Sequence, residues 1–248
     1  MITSITMREA YQMLFVVISA FSVIKIHFCN TKRYWTLLFF STLGAGALHG
    51  ALMAWGGALF FMLILIIFKK NRNIPLKLKL ILSSIIIGSI LFYFIYNFEI
   101  FNIYLNDGLF DAVGSYQQGI INIDARANYR FTILAEGFWG FLSFIPVALV
   151  QYFFEPFPWH ISISFDIIVL CENILRGWLV YLTWTNIGKL NKSDKSIVIF
   201  IALSYLFMQI IWAVGTANWG TAVRHHLPGI SLLLISSFAF SSTQKKNI

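Results

Sequence analysis

The sequence predicts an all-α protein, a polytopic integral membrane helix bundle of about eight transmembrane helices in a single transmembrane domain over residues 1–248. Hydrophobic residues make up 58% of the 248 positions and charged residues only 11%, whereas soluble domains carry about a quarter charged residues. The apolar residues are also gathered in runs of membrane-spanning length. The chain is therefore expected to cross a membrane several times.

The distribution of charge argues against a nucleic-acid-binding protein, although the net charge is +8. The lysines gather in short loops between apolar runs, as the positive-inside rule describes for membrane proteins. The two cysteines, Cys29 and Cys171, have no metal-ligand or disulfide spacing. We therefore expect no metal and no cofactor.

The first apolar run, residues 10–29, predicts one membrane helix. The second, residues 34–68, has 35 residues, and a single helix of that length would span roughly 52 Å. Because the hydrocarbon core is about 30 Å thick, two helices hinged within residues 44–57 fit better. His49 would then lie near the turn.

Residues 78–98 predict the next crossing, and residues 99–130 predict a long loop or an interfacial helix. Arg126 and Arg130 are four residues apart and share one face if this stretch is helical. They indicate an anionic partner, either a lipid headgroup or a phosphate-bearing substrate. A solvated interfacial face is the alternative.

Residues 131–154 and 160–185 predict two further crossings, joined by a rigid corner in which two prolines fix the backbone. Glu172 and Arg176 lie in the second crossing at helical spacing i, i+4. A charge at such a depth costs about 2.5–3.5 kcal/mol on insertion scales. The pair is therefore expected to face other helices, either as a structural contact or as part of a substrate site.

The last two apolar segments, residues 197–214 and 230–240, are separated by an unusually polar connection, residues 215–229. This connection holds Arg224, His225 and His226. It combines several hydrogen-bond donors with a possible proton acceptor at the membrane edge.

Eight simple crossings cannot place every lysine-rich loop on the same side of the membrane. One crossing more or fewer between residues 99 and 185 removes the conflict. The two places for it are a re-entrant stretch within residues 99–130 and a half-membrane hairpin around residues 155–159. With the lysine loops inside, residues 215–229 are predicted to face outward.

Several short segments resemble polytopic proteins of bacterial surface-polysaccharide clusters, the O-antigen polymerase-like proteins. The similar segments are DARANYR (124–130), FEPFPWHIS (154–162), Asp166, CENILR (171–176) and GTANWGTAVRHHLP (215–228). The resemblance covers about residues 35–240. Because members of the family are commonly longer, the chain is expected to correspond to their C-terminal portion and to lack an N-terminal half.

The resemblance implies a multi-pass protein of the bacterial inner membrane that acts on polyprenyl-pyrophosphate-linked oligosaccharide at the periplasmic face. The implied partners are this substrate, membrane lipids and polysaccharide-assembly proteins. His225 or Glu172 would be the catalytic base. The substrate-binding residues would be Arg126, Arg130, Arg176, Arg224 and His226.

Two other functions stay open. One is a transporter or flippase component for lipid-linked sugars, although such proteins often contain internal repeats and the sequence shows none. The other is a truncated or scaffold membrane protein without catalytic activity.

Overall fold

The computed structural model describes residues 2–29, 31–70, 126–129 and 137–238, which are mostly helical. In these ranges seven α-helices follow one another as α1 (Ile2–Cys29), α2 (Lys32–Leu48), α3 (Gly50–Lys70), α4 (Gly137–Phe154), α5 (Ser164–Ile187), α6 (Lys192–Val214) and α7 (Trp219–Phe238). A 3-10 turn, Pro158–His160, lies between α4 and α5. Within the described ranges the extended pairing is one antiparallel bridge between Asn128 and Asn218. The all-α fold class is confirmed.

Two of these helices are long and apolar enough to cross a membrane, judged by length and composition. They are Met7–Cys29 within α1 and Lys192–Val214, which is α6. Gly50–Leu63 and Leu142–Phe154 are shorter apolar stretches of α3 and α4. The crossing expected at residues 78–98, and residues 99–125 of the expected loop, lie outside the described residues. Eight crossings therefore stay a prediction.

The hinge predicted in the long apolar run is confirmed at His49. α2 ends at Leu48 and α3 begins at Gly50. The His49 amide donates to the Ala45 carbonyl over 3.2 Å, and the Ala51 amide donates to Nδ1 of the His49 ring over 3.2 Å. A Cβ atom at Gly56 would approach the Thr42 side chain to 3.0 Å, so this glycine allows α3 to pack closely on α2.

The apolar core lies mainly between α1, α2, α3 and α6. Its fully buried side chains include Val16, Leu38, Leu52, Leu59, Ile201 and Met208. The Trp55 indole N–H donates to the Ser204 hydroxyl over 2.8 Å and so ties α3 to α6. The remaining helices, α4, α5 and α7, bring polar side chains against the other side of α6.

The helices align so that most of the described lysines lie at one end of the bundle. His27 in α1 contacts Ser193 in α6 over 3.2 Å, and Asn186 in α5 donates to the Ser237 carbonyl in α7 over 3.1 Å. This end, here the lysine end, holds Lys25, Lys32, Arg33, Lys189, Lys192 and Lys195. The opposite end, here the Asp166 end, holds His49 and the first residues of α5 and α7.

α4 ends beside the middle of α5. The Arg176 guanidinium donates to the Phe153 carbonyl over 3.2 Å, and the Asn173 amide donates to the Glu155 carbonyl over 3.0 Å. Arg176 is at the midpoint of the 24-residue α5. Residues 155–163 therefore run from a point beside the middle of α5 to the N-terminus of α5.

The prediction of a polar connection over residues 215–229 is wrong, because α7 already begins at Trp219. The Asn218 side-chain oxygen accepts the Thr221 amide over 2.7 Å and caps the helix. Pro228 lies inside the helix, where it lacks the N–H that would bond four residues back. Only residues 215–218 connect α6 to α7, and the predicted Arg224, His225 and His226 are helical.

Candidate functional site

Asp166 joins three separate segments of the chain at one end of the bundle. Its carboxylate is fully buried and accepts from the Arg126 guanidinium at 2.7 and 2.9 Å. It also accepts from the Ser162 amide at 3.0 Å, the Ile163 amide at 3.1 Å and the Trp219 indole N–H at 3.3 Å. A buried carboxylate with this many donors is well compensated.

The Arg126 segment is also tied to the start of α7 through the backbone. The Tyr129 amide donates to the Ala217 carbonyl over 3.0 Å, and the Trp219 amide donates to the Ala127 carbonyl over 3.1 Å. The described residues 126–129 therefore lie against residues 217–219, and both belong to segments that resemble the polymerase-like proteins. Arg130, predicted to accompany Arg126, lies outside the described residues.

A second set of polar residues lies deeper between α4, α5 and α6. It consists of Tyr129, Tyr152, Glu172, Arg176 and Tyr205, here called the tyrosine cluster. Arg176 interacts electrostatically with the other four. It is only 2% exposed and donates to the Asn173 side-chain oxygen in addition to the Phe153 carbonyl.

Glu172 and Arg176 lie on one face of α5, as their spacing predicts, but they make no ion pair with each other within the described structure. Several polar atoms around them also lack a hydrogen-bond partner in the part of the chain that the structure describes. These are Arg176 Nε and Nη1, Glu172 Oε1 and the hydroxyls of Tyr129, Tyr152 and Tyr205. Buried polar groups are normally satisfied, so this concentration distinguishes the tyrosine cluster from the rest of the core.

Burial determines the protonation of Tyr129, the tyrosine of the cluster that lies outside a helix. Tyr129 is 8% exposed, and burial raises the pKa of its hydroxyl far above the usual value, with a further contribution from Glu155. Tyr129 therefore keeps its proton at neutral pH and can act as a hydrogen-bond donor.

His226 borders the tyrosine cluster and connects three helices. Its Nε2 donates to the Tyr152 carbonyl over 3.1 Å, so Nδ1 of the neutral ring accepts from the side-chain amide of Gln209, 2.9 Å away. The ring stacks against Phe153. Both ring nitrogens are engaged, so this predicted binding residue acts on the cluster by positioning Tyr152 and Gln209.

His225 faces a different group of residues at the same end of the bundle. Its ring stacks on Trp212 with 5.3 Å between ring centroids and meets His49 edge-on at 5.6 Å. The Thr216 hydroxyl donates to the Trp212 carbonyl over 2.7 Å and lies 3.0 Å from His225 Nδ1. Because that hydroxyl has only one hydrogen, Nδ1 must donate, and Nε2 is the basic nitrogen of the neutral ring.

His49 has the opposite arrangement, because its Nδ1 accepts the Ala51 amide and its proton is therefore on Nε2. Burial lowers the pKa of His49, and the positive charge of Arg8 lowers it further. Arg224 lies nearby on the exposed side of α7, with one guanidinium nitrogen 3.4 Å from the Thr221 hydroxyl.

The predicted site residues thus fall into three neighbouring groups. Arg126 binds Asp166, Glu172 and Arg176 belong to the tyrosine cluster with His226 beside it, and His225 and Arg224 lie near His49. The sequence pattern predicts no role for the three tyrosines. Tyr152 and Tyr205 are hydroxyls within otherwise apolar segments, which are common in membrane helices and indicate no particular partner, and Tyr129 lies beside the charged residues of segment 124–130.

Within the described parts of the chain, no three His, Cys, Asp or Glu side chains are grouped as metal ligands. Comparisons with protein-family models, with curated proteins and with solved structures found no match. The geometry of the site therefore carries the functional argument.

Proposed function

We propose that the chain is a multi-pass protein of the bacterial inner membrane, with about eight crossings, that acts in surface-polysaccharide biosynthesis. It would act on polyprenyl-pyrophosphate-linked glycan at the periplasmic face, as a polymerase or glycosyltransferase. The observation that carries the proposal is the gathering of Arg126, Arg224 and His225 at the end opposite the lysines. If the lysine end is cytoplasmic, these three residues face the periplasm.

The path of residues 155–163 supports this topology. α4 ends beside the midpoint of α5, and the chain then returns to the Asp166 end before α5 begins. A half-length hairpin of this kind supplies the change in crossing number that the lysine-rich loops require.

The chemistry proposed for the site is a glycosyl transfer. An acceptor hydroxyl oxygen attacks the anomeric carbon of the donor sugar while the bond from that carbon to the pyrophosphate oxygen breaks. The pyrophosphate leaves with the bonding electrons, and a base takes the hydroxyl proton. Arg126, Arg130, Arg176 and Arg224 would bind the pyrophosphate, because guanidinium groups stay charged and match phosphate oxygens bidentately.

Two residues are suited to the role of base. His225 presents the basic Nε2 of a neutral ring, since its Nδ1 donates to Thr216. Glu172 has an oxygen without a partner among the described residues, beside the charge of Arg176. The variants His225→Gln and Glu172→Gln distinguish these two candidates. The variant that lacks the catalytic base is expected to lose glycosyl transfer but still to bind the carrier-linked substrate, whereas the other variant keeps glycosyl transfer.

Deletion of the gene followed by complementation tests the proposal. We expect loss of long-chain surface polysaccharide, restored by the wild type and by Arg33→Ala but not by Arg224→Ala. Arg33 is a matched control because it is an exposed arginine at the lysine end. Full restoration by Arg224→Ala would show that this arginine is not in the site, and an unchanged polysaccharide after deletion would refute the function itself.

The same strains test the alternative functions. Carrier-linked units retained on the cytoplasmic leaflet after deletion would identify a transporter or flippase component. A polymerase or transferase leaves these units on the periplasmic leaflet.

A further inference from the structure

We infer that the tyrosine cluster is an internal binding site for the phosphate group of a phosphate-linked sugar. The inference rests on the proposed function for its ligand and deepens it, because it assigns binding roles to Tyr129, Tyr152 and Tyr205. None of these three follows from the sequence or from the resemblance.

The residues of the tyrosine cluster come from separate elements of the chain. Tyr129 comes from the segment bridged to α7, Tyr152 from α4, Glu172 and Arg176 from α5, and Tyr205 from α6. Arg176 and Tyr205 are 2% exposed and Tyr152 is fully buried. Burying polar groups from four parts of the chain in one place costs desolvation free energy. This cost favours a function for these groups.

The unpartnered atoms of the cluster are mostly hydrogen-bond donors. Arg176 Nε and Nη1 only donate, and the tyrosine hydroxyls donate readily. Phosphate oxygens only accept, and they match a guanidinium group that is surrounded by further donors. The donor-rich composition of the cluster therefore suits an anion with several oxygens.

Glu172 is the one acidic side chain of the tyrosine cluster. Its Oε1 is an acceptor without a partner among the described residues, and it makes no ion pair with Arg176. A phosphate group held by Arg176 leaves this oxygen available to accept a sugar hydroxyl. The cluster thus offers donors for the phosphate and an acceptor for the sugar within one place.

The position of Tyr129 indicates how the cluster connects to the surface. Its backbone amide is hydrogen-bonded to the Ala217 carbonyl. Arg126, three residues earlier, is partly exposed, with 43% of its side chain accessible. Arg126 and Tyr129 therefore lie along one short segment between the Asp166 end and the cluster.

Removing single hydroxyls tests the site, because a hydroxyl reserved for a ligand and a hydroxyl needed for folding respond differently. The full chain in phosphatidylcholine nanodiscs is titrated with farnesyl diphosphate, farnesol and inorganic pyrophosphate. We expect Tyr152→Phe and Tyr205→Phe to weaken farnesyl diphosphate binding about tenfold and Arg176→Gln to abolish it. Tyr181→Phe is the matched control, because Tyr181 is 63% exposed on α5.

The melting temperature of the ligand-free variants is the second measurement. Replacing an unpartnered buried hydroxyl by hydrogen removes a desolvation cost, so Tyr152→Phe and Tyr205→Phe should melt at or above the wild-type temperature. A lower melting temperature in both would assign the hydroxyls a structural role and overturn the inference. Farnesyl diphosphate binding equal to wild type in both variants would also overturn it.

The other ligands identify the recognised group. Farnesol binding as tightly as farnesyl diphosphate would overturn the inference, because the lipid tail alone would then be bound. Inorganic pyrophosphate binding as tightly as farnesyl diphosphate, with the same loss in the variants, would support the anion site and identify a free anion as its ligand. A confirmed site in a strain whose surface polysaccharide is unchanged by deletion would refute the proposed function alone.

Discussion

At the scale of single residues, Asp166 shows how a carboxylate can be buried in an apolar bundle. Arg126 supplies a guanidinium nitrogen within hydrogen-bond distance of both oxygens, and the amides of Ser162 and Ile163 and the indole of Trp219 complete the donors. Arg126 remains partly exposed, so the cost of desolvation falls mainly on the aspartate. The charge is tolerated because its donors are numerous and fixed by the backbone.

The substitution Asp166→Asn tests this account. It preserves the shape of the side chain but removes the charge that strengthens the Arg126, Ser162 and Trp219 hydrogen bonds, so we expect a loss of about 2–3 kcal/mol in the free energy of unfolding. Arg126→Gln should cost less, because the other donors remain. Denaturant titration in detergent measures both, and an Asp166→Asn protein as stable as the wild type would contradict the account.

Some of the site residues could be predicted from the sequence and others could not, for physical reasons. The i, i+4 spacing of Glu172 and Arg176 was enough to place both on one face of α5, because helical periodicity is local. The convergence of Tyr129 and Tyr205 on Arg176 depends on the packing of distant segments, for which a single sequence contains no periodic signal.

At the scale of helices, the α6–α7 contact depends on the absence of a side chain at Gly229. A Cβ atom there would clash with the Gln209 amide nitrogen and approach the Tyr205 ring to 3.2 Å. Gln209 is itself held by His226. The close packing of α7 on α6 therefore fixes the positions of Tyr205, a member of the tyrosine cluster, and of Gln209 beside it.

We expect Gly229→Ala to destabilise the protein by about 1–3 kcal/mol, because overpacking a filled core displaces side chains that cannot move freely. Gly177→Ala is the matched control: a Cβ atom at Gly177 meets no atom within 4 Å, and alanine favours a helix by about 0.5–1 kcal/mol. Thermal unfolding of the two variants beside the wild type measures the difference. A Gly229→Ala protein as stable as Gly177→Ala would refute this packing.

Helix boundaries show where sequence patterns suffice and where they fail. The hinge at His49 was predictable, because one helix over residues 34–68 would be too long for the membrane. The start of α7 was missed, because Gly220, Pro228 and Gly229 are typical of turns, whereas the capping oxygen of Asn218 starts the helix before them. A proline within a helix is tolerated when tertiary packing compensates for the lost hydrogen bond.

At the scale of the whole molecule, the bundle separates two kinds of positive charge. Lys25, Lys32 and Lys192 lie at the end where α1 stops and α6 starts, and Arg126 and Arg224 lie at the other. Lysine in short loops orients a membrane protein, whereas the arginines at the Asp166 end lie beside buried polar groups. The two ends are therefore expected to face different compartments.

Cysteine labelling tests this arrangement. In a background with Cys29→Ser and Cys171→Ser, we expect Lys32→Cys and Lys192→Cys to react with a membrane-impermeant maleimide only after the cytoplasmic face is opened. Ser164→Cys, at the exposed first residue of α5, should react in intact spheroplasts. Labelling of Ser164→Cys and Lys192→Cys from the same face would exclude the topology proposed for the bundle.

The donors of Asp166 come from three parts of the chain that are synthesised at different times. Arg126 is synthesised before Asp166, so the counter-charge of the carboxylate is present when the aspartate is made. Trp219 follows 53 residues later and can add its indole N–H only after α6 has been synthesised. The last helix of the described structure therefore completes a set of donors that the middle of the chain has already begun.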